Sequence, residues 1–397
     1  MEVGTDNRGL SSSRQFVYIN TKVRYRLYSL FATLYVFLSG FVFIEPGPSD
    51  ILFILFLPLL LVNFSTAREI ILSFLSIIIP MAISSFTGYV LPGLFNMRFL
   101  FIDTYLFTFF FVVSSFNGTI RAKPLSKKLF HSIMKAWILA GSLNILAGLF
   151  GYVTGGKNFL GTNIFFGVRL KGFFKDPNVL GPFLVPPAAY FMKLYIEKDS
   201  RKLLNIIGFL FFSLGVLLSF SRAAWLNYAT TFFLLFIALS RSLKEIFRVL
   251  LVIMISVSLL FIFLNLQVST DIFGFNILEV MFSRLGLQSY DEGRFSAQSQ
   301  FANILSSTSV IFGTGPGNYE IFAGMATHSL FARYIGERGF FGLILFIFFF
   351  YVIFYKSARS SYRTFLIPVI IGQLVNSIFV DTLHWRHLWL LFSLVFM

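Results

Sequence analysis

Cysteine is absent from the 397 residues, which excludes a disulfide framework, thiolate chemistry and any Cys-type metal site. Charge is scarce too: only 12% of residues are charged, and the 17 acids are outnumbered by 32 Lys and Arg. No internal repeat, low-complexity tract or soluble domain is visible. What fills the chain instead is hydrocarbon. Hydrophobic residues make up 57%, with 56 Phe and a mean hydropathy of +0.81, and this composition excludes a soluble globular protein.

Apolar runs long enough to span a bilayer, roughly 17 to 25 residues each, recur along almost the whole length. The alternation of a membrane β-barrel is missing. The fold class expected is therefore all-α: a polytopic integral membrane protein of about 12 transmembrane helices. Their expected cores are 27–44, 51–64, 70–86, 99–116, 136–153, 179–195, 203–220, 223–239, 248–265, 329–355, 364–380 and 385–397. A polar N-terminal segment, 1–26, precedes a single membrane domain, 27–397, and carries no cleavable signal peptide pattern. Two long connections stand out, 154–178 and 266–327, the second lying between spans 9 and 10.

The net charge of +15 does not point to nucleic acid, because the cations sit in short connections where they encode orientation. Of the 32 Lys and Arg, 21 fall in the N-terminal segment and the even-numbered connections, leaving 11 for the other side. The positive-inside rule then puts both termini in the cytoplasm and both long loops outside. Trp225, Trp385 and Trp389 near outer ends, and Trp137 near an inner end, fit an interfacial aromatic belt.

Against that rule, the outer segment from Arg169 to Asn178 carries Arg169, Lys171 and Lys175. Cations on the positive-poor side call for an anion, and phosphate is the commonest anion at a bilayer surface. Arg169 is the strongest candidate, since guanidinium offers phosphate a planar fork of donors and keeps its charge. Lys171 and Lys175 fit contact with lipid headgroups equally well. Asp176-Pro177-Asn178 reads as a capped start of the sixth span, whose N-terminus adds backbone donors for the same anion. In Ser219-Phe220-Ser221-Arg222-Ala223-Ala224-Trp225 a lone Arg222 lies between two apolar runs. It either snorkels or turns inward to a ligand; with Arg169 it makes two fixed cations on one face, which suits a diphosphate.

Gly313-Thr314-Gly315-Pro316-Gly317-Asn318-Tyr319 lacks the Lys-Ser/Thr of a P-loop and is read as a tight turn. After it comes His328, followed by Arg333, Glu337 and Arg338 at the start of the tenth span. His328 is one of only 4 histidines, and an imidazole suits proton transfer near neutrality; a lone His at a helix start also serves structure. Asp381, His384, Arg386 and His387 cluster at the outer end of the last spans, where they either line the same cavity or, as expected, form a local polar network. Their spacing with His328 matches no metal-ligand pattern. Within 266–327, Phe295, Phe301, Ala302 and Leu305 recur at near-helical spacing, the mark of an amphipathic helix on the membrane surface or over a cavity.

Four blocks of the chain, Arg169 to Phe183, Leu218 to Trp225, Gly293 to Tyr319 and His328 to Gly342, resemble in order and spacing the O-antigen ligase and polymerase superfamily of bacterial membrane glycosyltransferases. The resemblance implies transfer of a glycan from undecaprenyl diphosphate to a second glycan at the periplasmic face of the inner membrane, by inversion, without metal or other cofactor. It implies that Arg169 and Arg222 hold the diphosphate and that His328 is the base toward the acceptor hydroxyl. Lys171, Lys175, Asn178, Arg294, Glu337 and His384 are the supporting candidates. For an O-antigen ligase the acceptor is lipid A core. For a polymerase of O-antigen or exopolysaccharide it is a second lipid-linked glycan, with a chain-length regulator as partner. Arg169 and Gly181 have eleven residues between them, one more than the polymerase pattern, which leaves both open. A lipid-linked glycan transporter or flippase is the competing reading from another class; the near absence of charge within the spans argues against ion coupling.

A single Cys introduced at Lys157 is expected to react with an impermeant thiol reagent in intact spheroplasts. Labelling only after permeabilisation would overturn the orientation.

Overall fold

The computed structural model describes residues 12–61, 66–91, 93–120, 123–156, 158–159, 161–197, 200–240, 242, 271–272, 275–286 and 288–397. The expected ninth span, 248–265, and Lys157 lie outside the described residues. The chain is all-α apart from three two-residue strand pairs among the described residues. Among the described residues, six helices are long and apolar enough to cross a membrane. They are α3 (Arg68–Val90), α4 (Met97–Thr119), α5 (from Pro124 within Lys123–Thr154), α6 (Pro177–Ile196), α8 (Arg222–Leu239) and α13 (Leu330–Arg359). Shorter apolar helices are α2 (Pro48–Leu61), α7 (Lys202–Leu218), α14 (Arg363–Phe379) and α15 (Arg386–Ser393), the last continued by a 3-10 turn, Leu394–Phe396. The N-terminal helix, α1 (Ser12–Leu38), reaches back into the polar segment and stops short of the expected end, where Ser39 and Gly40 form a turn. The second long loop carries α9 (Ile277–Leu285), α10 (Ser289–Ser299), α11 (Phe301–Ser307) and α12 (Tyr319–Ala323).

Contacts sort the connections into two ends. At one, Tyr25 Oη donates to the Leu125 carbonyl, Lys356 pairs with Glu69 at 2.9 Å, and Tyr362 stacks on Phe130. At the other, Lys175 pairs with Glu45 at 3.0 Å, and Val42 bridges to Phe174 in the loop before α6. The segments around Tyr25, Glu69, Leu125 and Lys356 thus lie together at one end, and those around Val42 to Glu45 and Phe174 to Lys175 at the other.

Because hydrocarbon offers backbone groups no partner, every break in a helix has to be satisfied from within the protein. Helix α6 shows this clearly. Pro186 and Pro187 lack the N–H groups that would bond the carbonyls of Pro182 and Phe183 four residues back. Gln373 Nε2 donates to the Pro182 carbonyl at 2.8 Å, and Trp137 Nε1 donates to that of Phe183 at 2.9 Å. Trp137 is therefore a core residue, and so is Trp389, whose Nε1 donates to the Leu383 carbonyl at 2.6 Å. Neither belongs to an interfacial belt: each spends its indole N–H on a carbonyl inside the bundle.

The second break falls in α13, which the sequence presents as one continuous span. Gly339 has φ +65° and divides it. Residues 310–315 run alongside the gap and replace the missing ladder: Thr314 N and Gly315 N donate to the carbonyls of Gly336 and Glu337, while Phe340 N and Phe341 N donate to those of Val310 and Ile311. The Gly-rich turn is thus a splice for a broken helix. Glycine is required at both faces, because a Cβ on Gly313 would collide with the Glu337 backbone and one on Gly339 with the Ile311 carbonyl.

Gln373→Leu nearly preserves packing volume while orphaning one buried carbonyl of α6, and Trp137→Phe orphans the other while also leaving a small void. Each is expected to cost about 1–3 kcal/mol, read as a lower midpoint of thermal unfolding in detergent; an unchanged midpoint for both would show that the bonds carry no stability.

Candidate functional site

The loop between α5 and α6 folds into two small hairpins, Asn158–Phe159 with Thr162–Asn163 and Phe165–Phe166 with Arg169–Leu170. Gly167, at φ +61°, supplies the left-handed residue that the second turn needs. The hairpin is pinned from below. Tyr152 Oη donates to the Val168 carbonyl at 2.6 Å, and buried Asn144 accepts from Phe173 N at 2.7 Å while donating to the Gly40 carbonyl at 3.0 Å. This scaffold turns Arg169 inward, where it is only 7% exposed.

Arg169 Nε donates to the Ser219 carbonyl at 3.1 Å and Nη2 to Asn178 Oδ1 at 2.9 Å. The same oxygen accepts from Ser221 Oγ at 2.8 Å. Asn178 is held in turn by Asp176, which caps α6 by accepting from Asn178 N at 2.6 Å. Ser221 caps α8, whose first residue is Arg222. One amide oxygen therefore ties Arg169 to Ser221, the residue before Arg222. The preceding residue, Phe220, sits at φ +45°, a conformation that a bulky side chain adopts only when its surroundings impose it.

Arg169 and Arg222 line a single cavity of about 220 Å³, and Arg284 and Arg294 join them. The described residues that line it include four arginines and one carboxylate, Asp291, which pairs with Arg222 Nη2 at 2.5 Å. The Gly286 carbonyl accepts from Arg222 Nη1 at 3.1 Å. The Arg222 hydrogen bond, followed by the bond from Gln288 N, holds the Asp291 carboxyl below its ordinary range against the cost of burial. Asp291 thus stays ionised and fixes the direction of Arg222. The N-terminus of α8 opens on the same space, adding its partial positive charge. A dense, oriented positive field in a small enclosure is suited to a multivalent oxyanion.

His328 is half-buried at φ +50°, immediately before the Ser329 cap of α13. Its carbonyl accepts from Gln298 Nε2 at 3.2 Å, and Gln298 lines the arginine cavity. Burial, followed by the positive charge of Arg294, lowers the His328 pKa below 6.5; Asp176, Asp381 and Glu320 oppose that shift. The imidazole is neutral at neutral pH and able to accept a proton.

The remaining candidates lie elsewhere. Lys175 points to Glu45, and Lys171 is not among the residues lining the arginine cavity. Glu337, 1% exposed, belongs to a buried ionic cluster. It pairs with Arg333 at 2.9 Å and Arg338 at 3.1 Å, and accepts from Gly317 N at 2.9 Å, tying the splice to the helix. Arg338 also pairs with Asp103 of α4, and His384 Nε2 lies 3.0 Å from the same carboxylate. Arg333 further meets Glu320 and Asp381, each at 2.6 Å. The expected local network of Asp381, His384, Arg386 and His387 is thus distributed: Asp381 goes to Arg333, His384 to Asp103, Arg386 to Asp50, and His387 packs among Trp137, Phe183 and Trp385. The near-helical run over Phe295 to Leu305 is two helices meeting at Gln300; Phe295 and Gln298 face the cavity and Leu305 is buried.

Sequence reasoning missed Arg284, Asp291 and Asp103. Asp103 carried a usable signal, an acid in the middle of an apolar run. Among the described residues no group of three or more His, Asp or Glu has the arrangement of a metal site. Neither a family model nor a curated protein matches this chain.

Arg169→Lys and Arg222→Lys are each expected to weaken binding of inorganic diphosphate by roughly ten- to a hundredfold, the worth of about 1.5–3 kcal/mol for a charge-assisted contact. Parental affinity in both variants, by calorimetry on the purified protein, would show that the fork geometry is not used.

Proposed function

We propose that this chain is a membrane glycosyltransferase that moves a glycan from undecaprenyl diphosphate to a hydroxyl of a second glycan at the periplasmic face of the bacterial inner membrane. The twelve-span layout, with both termini cytoplasmic, belongs to the same proposal. The observation that carries the reading is the convergence of Arg169 and Arg222, with Asn178 tying Arg169 to Ser221, on a cavity that also holds Arg284 and Arg294. In the reaction the bond from the anomeric carbon to the diphosphate oxygen breaks, and the electron pair leaves with the diphosphate. Fixed guanidiniums in a partly dry cavity stabilise that developing charge without reorganising. The acceptor oxygen attacks from the opposite face, inverting the centre, and its proton passes to the imidazole of His328.

Charge geometry supports the division of labour. Burial, followed by the charge of Arg294, lowers the basicity of His328, while Asp176, Asp381 and Glu320 stabilise the imidazolium once it forms. The chemistry needs no carboxylate pair of the glycosidase type, because diphosphate is already a good leaving group. We place the chain with the ligases, taking lipid A core as acceptor; a polymerase would use the same donor cavity with a second lipid-linked glycan.

His328→Ala is expected to keep binding of the lipid diphosphate while transfer falls by roughly two to four orders of magnitude. In the parent, the acidic limb of the pH–rate profile should lie below 6.5, the ordinary histidine value, because the folded pKa is lowered. Arg294→Gln removes the depressing charge and should move that limb to higher pH. Near-parental transfer by the alanine variant, assayed in liposomes with a chelator present, would move the base elsewhere.

A further inference from the structure

His328 is not among the described residues that line the arginine cavity, so the filling of that cavity reaches it through intervening protein. Helix α10 lies between them. Its first turn carries Asp291, whose carboxylate accepts from Arg222 Nη2 at 2.5 Å and from Gln288 N at 2.7 Å. Its last turn carries Gln298, which lines the cavity and donates through Nε2 to the His328 carbonyl at 3.2 Å. Arg294 and Phe295, between these two, line the cavity as well. With 11 residues the helix is about 16 Å long, and it is bonded at one end to Arg222 and at the other to His328.

The His328 end is firmly moored. Tyr319 Oη donates to the carbonyls of Ala297 at 2.8 Å and Gln298 at 3.1 Å. Tyr319 is itself fully buried against Gly336, where a Cβ would stand 2.5 Å from the phenol ring. His328 sits in a small closed loop: Thr327 Oγ1 accepts from Ser329 N at 3.2 Å and donates to the Ser329 carbonyl at 3.0 Å. These bonds close residue 327 on residue 329 and leave His328 at φ +50°, a left-handed conformation in which histidine is found more often than most residues. The carbonyl of that residue is the one that accepts from Gln298.

We propose that Gln298 is a positioning residue, through which an oxyanion in the arginine cavity sets the backbone of His328 and with it the imidazole. The inference rests on the glycosyl-transfer reading for what the cavity holds and what His328 does, and adds the link between them. An entering oxyanion competes with protein acceptors for Arg222, which gives Nη2 to Asp291 and Nη1 to the Gly286 carbonyl. A helix is a rigid element and carries a change at its first turn to its last. There the Gln298 amide meets the ligand on one side and the His328 carbonyl on the other. Filling of the donor cavity and placement of the base are thereby coupled, so the imidazole is set when a leaving group is in place.

The test follows the His328 carbonyl itself, by solid-state NMR of the full chain in liposomes with carbonyl-labelled histidine. The chain has 4 histidines, and the signal lost in His328→Gln identifies the one of interest. Saturating inorganic diphosphate should shift that signal in the parent. Gln298→Met keeps the length and removes the donor, and should reduce the shift several-fold at similar diphosphate affinity by calorimetry. Gln298→Lys keeps a donor and should retain most of the shift. Asp291→Asn loosens the other end of α10 and should move the signal before any ligand is added. In glycan transfer Gln298→Met should lower kcat roughly three- to tenfold, the worth of one hydrogen bond, with KM for the lipid-linked donor unchanged. Equal shifts in the parent and Gln298→Met would reveal a through-space effect and overturn the proposal. So would a bound diphosphate that leaves the parent signal in place, or an unmoved signal in Asp291→Asn, an outcome that does not depend on how the Gln298 variants fold. Failure of the parent to bind diphosphate would overturn the cavity reading together with the link, whereas an intact shift without transfer would support the link and remove only the transferase reading.

Discussion

The whole arrangement depends on keeping backbone polar groups bonded where water cannot reach them. An unpaired carbonyl in hydrocarbon costs several kcal/mol, so a helix can be broken there only if another segment supplies the missing donors and acceptors. Among the described residues, α6 and α13 show this. Trp137 and Gln373 serve the carbonyls freed by Pro186 and Pro187, and residues 310–315 serve both sides of the gap at Gly339. The second splice has a chemical outcome. It fixes Arg333, Glu337 and Arg338 on a short helical segment before the gap and holds Glu337 through the Gly317 amide.

Beside the Asp50–Arg386 pair, two groups of charges differ in balance. One is the arginine cavity built on the starts of α6 and α8 and on α9 and α10; the other is the carboxylate-rich cluster reaching from α4 through α13 to the α14–α15 connection. Buried ion pairs are poor sources of stability, because desolvation offsets most of their attraction. Removing one partner is costly, however, and a network that shares its ions among many partners resists rearrangement. Asp103, held by both Arg338 and His384, is such a joint between the core of the bundle and its outer end.

Much of this was legible in the chain. The apolar runs give the helical class directly, and the Asp176-Pro177-Asn178 cap stands where turn chemistry puts it. The two cations out of place by the charge rule, Arg169 and Arg222, share a cavity. Arg284 was invisible because nothing in its neighbourhood distinguishes it from other loop cations; only the folding of α9 against the start of α8 brings it in. The break at Gly339 was hidden by apolar residues that continue past it, since periodicity does not register a φ of +65°. Trp137 and Trp389 misled because an indole suits an interface and a buried carbonyl equally well.

The gap in α13 also sets a depth. The apolar stretch beyond it, 340–355, rises about 1.5 Å per residue and so covers about 24 Å before Lys356 begins the basic last turn, slightly less than a hydrocarbon core of roughly 30 Å. The ionic cluster built on Arg333, Glu337 and Arg338 therefore sits before this apolar stretch and not within it.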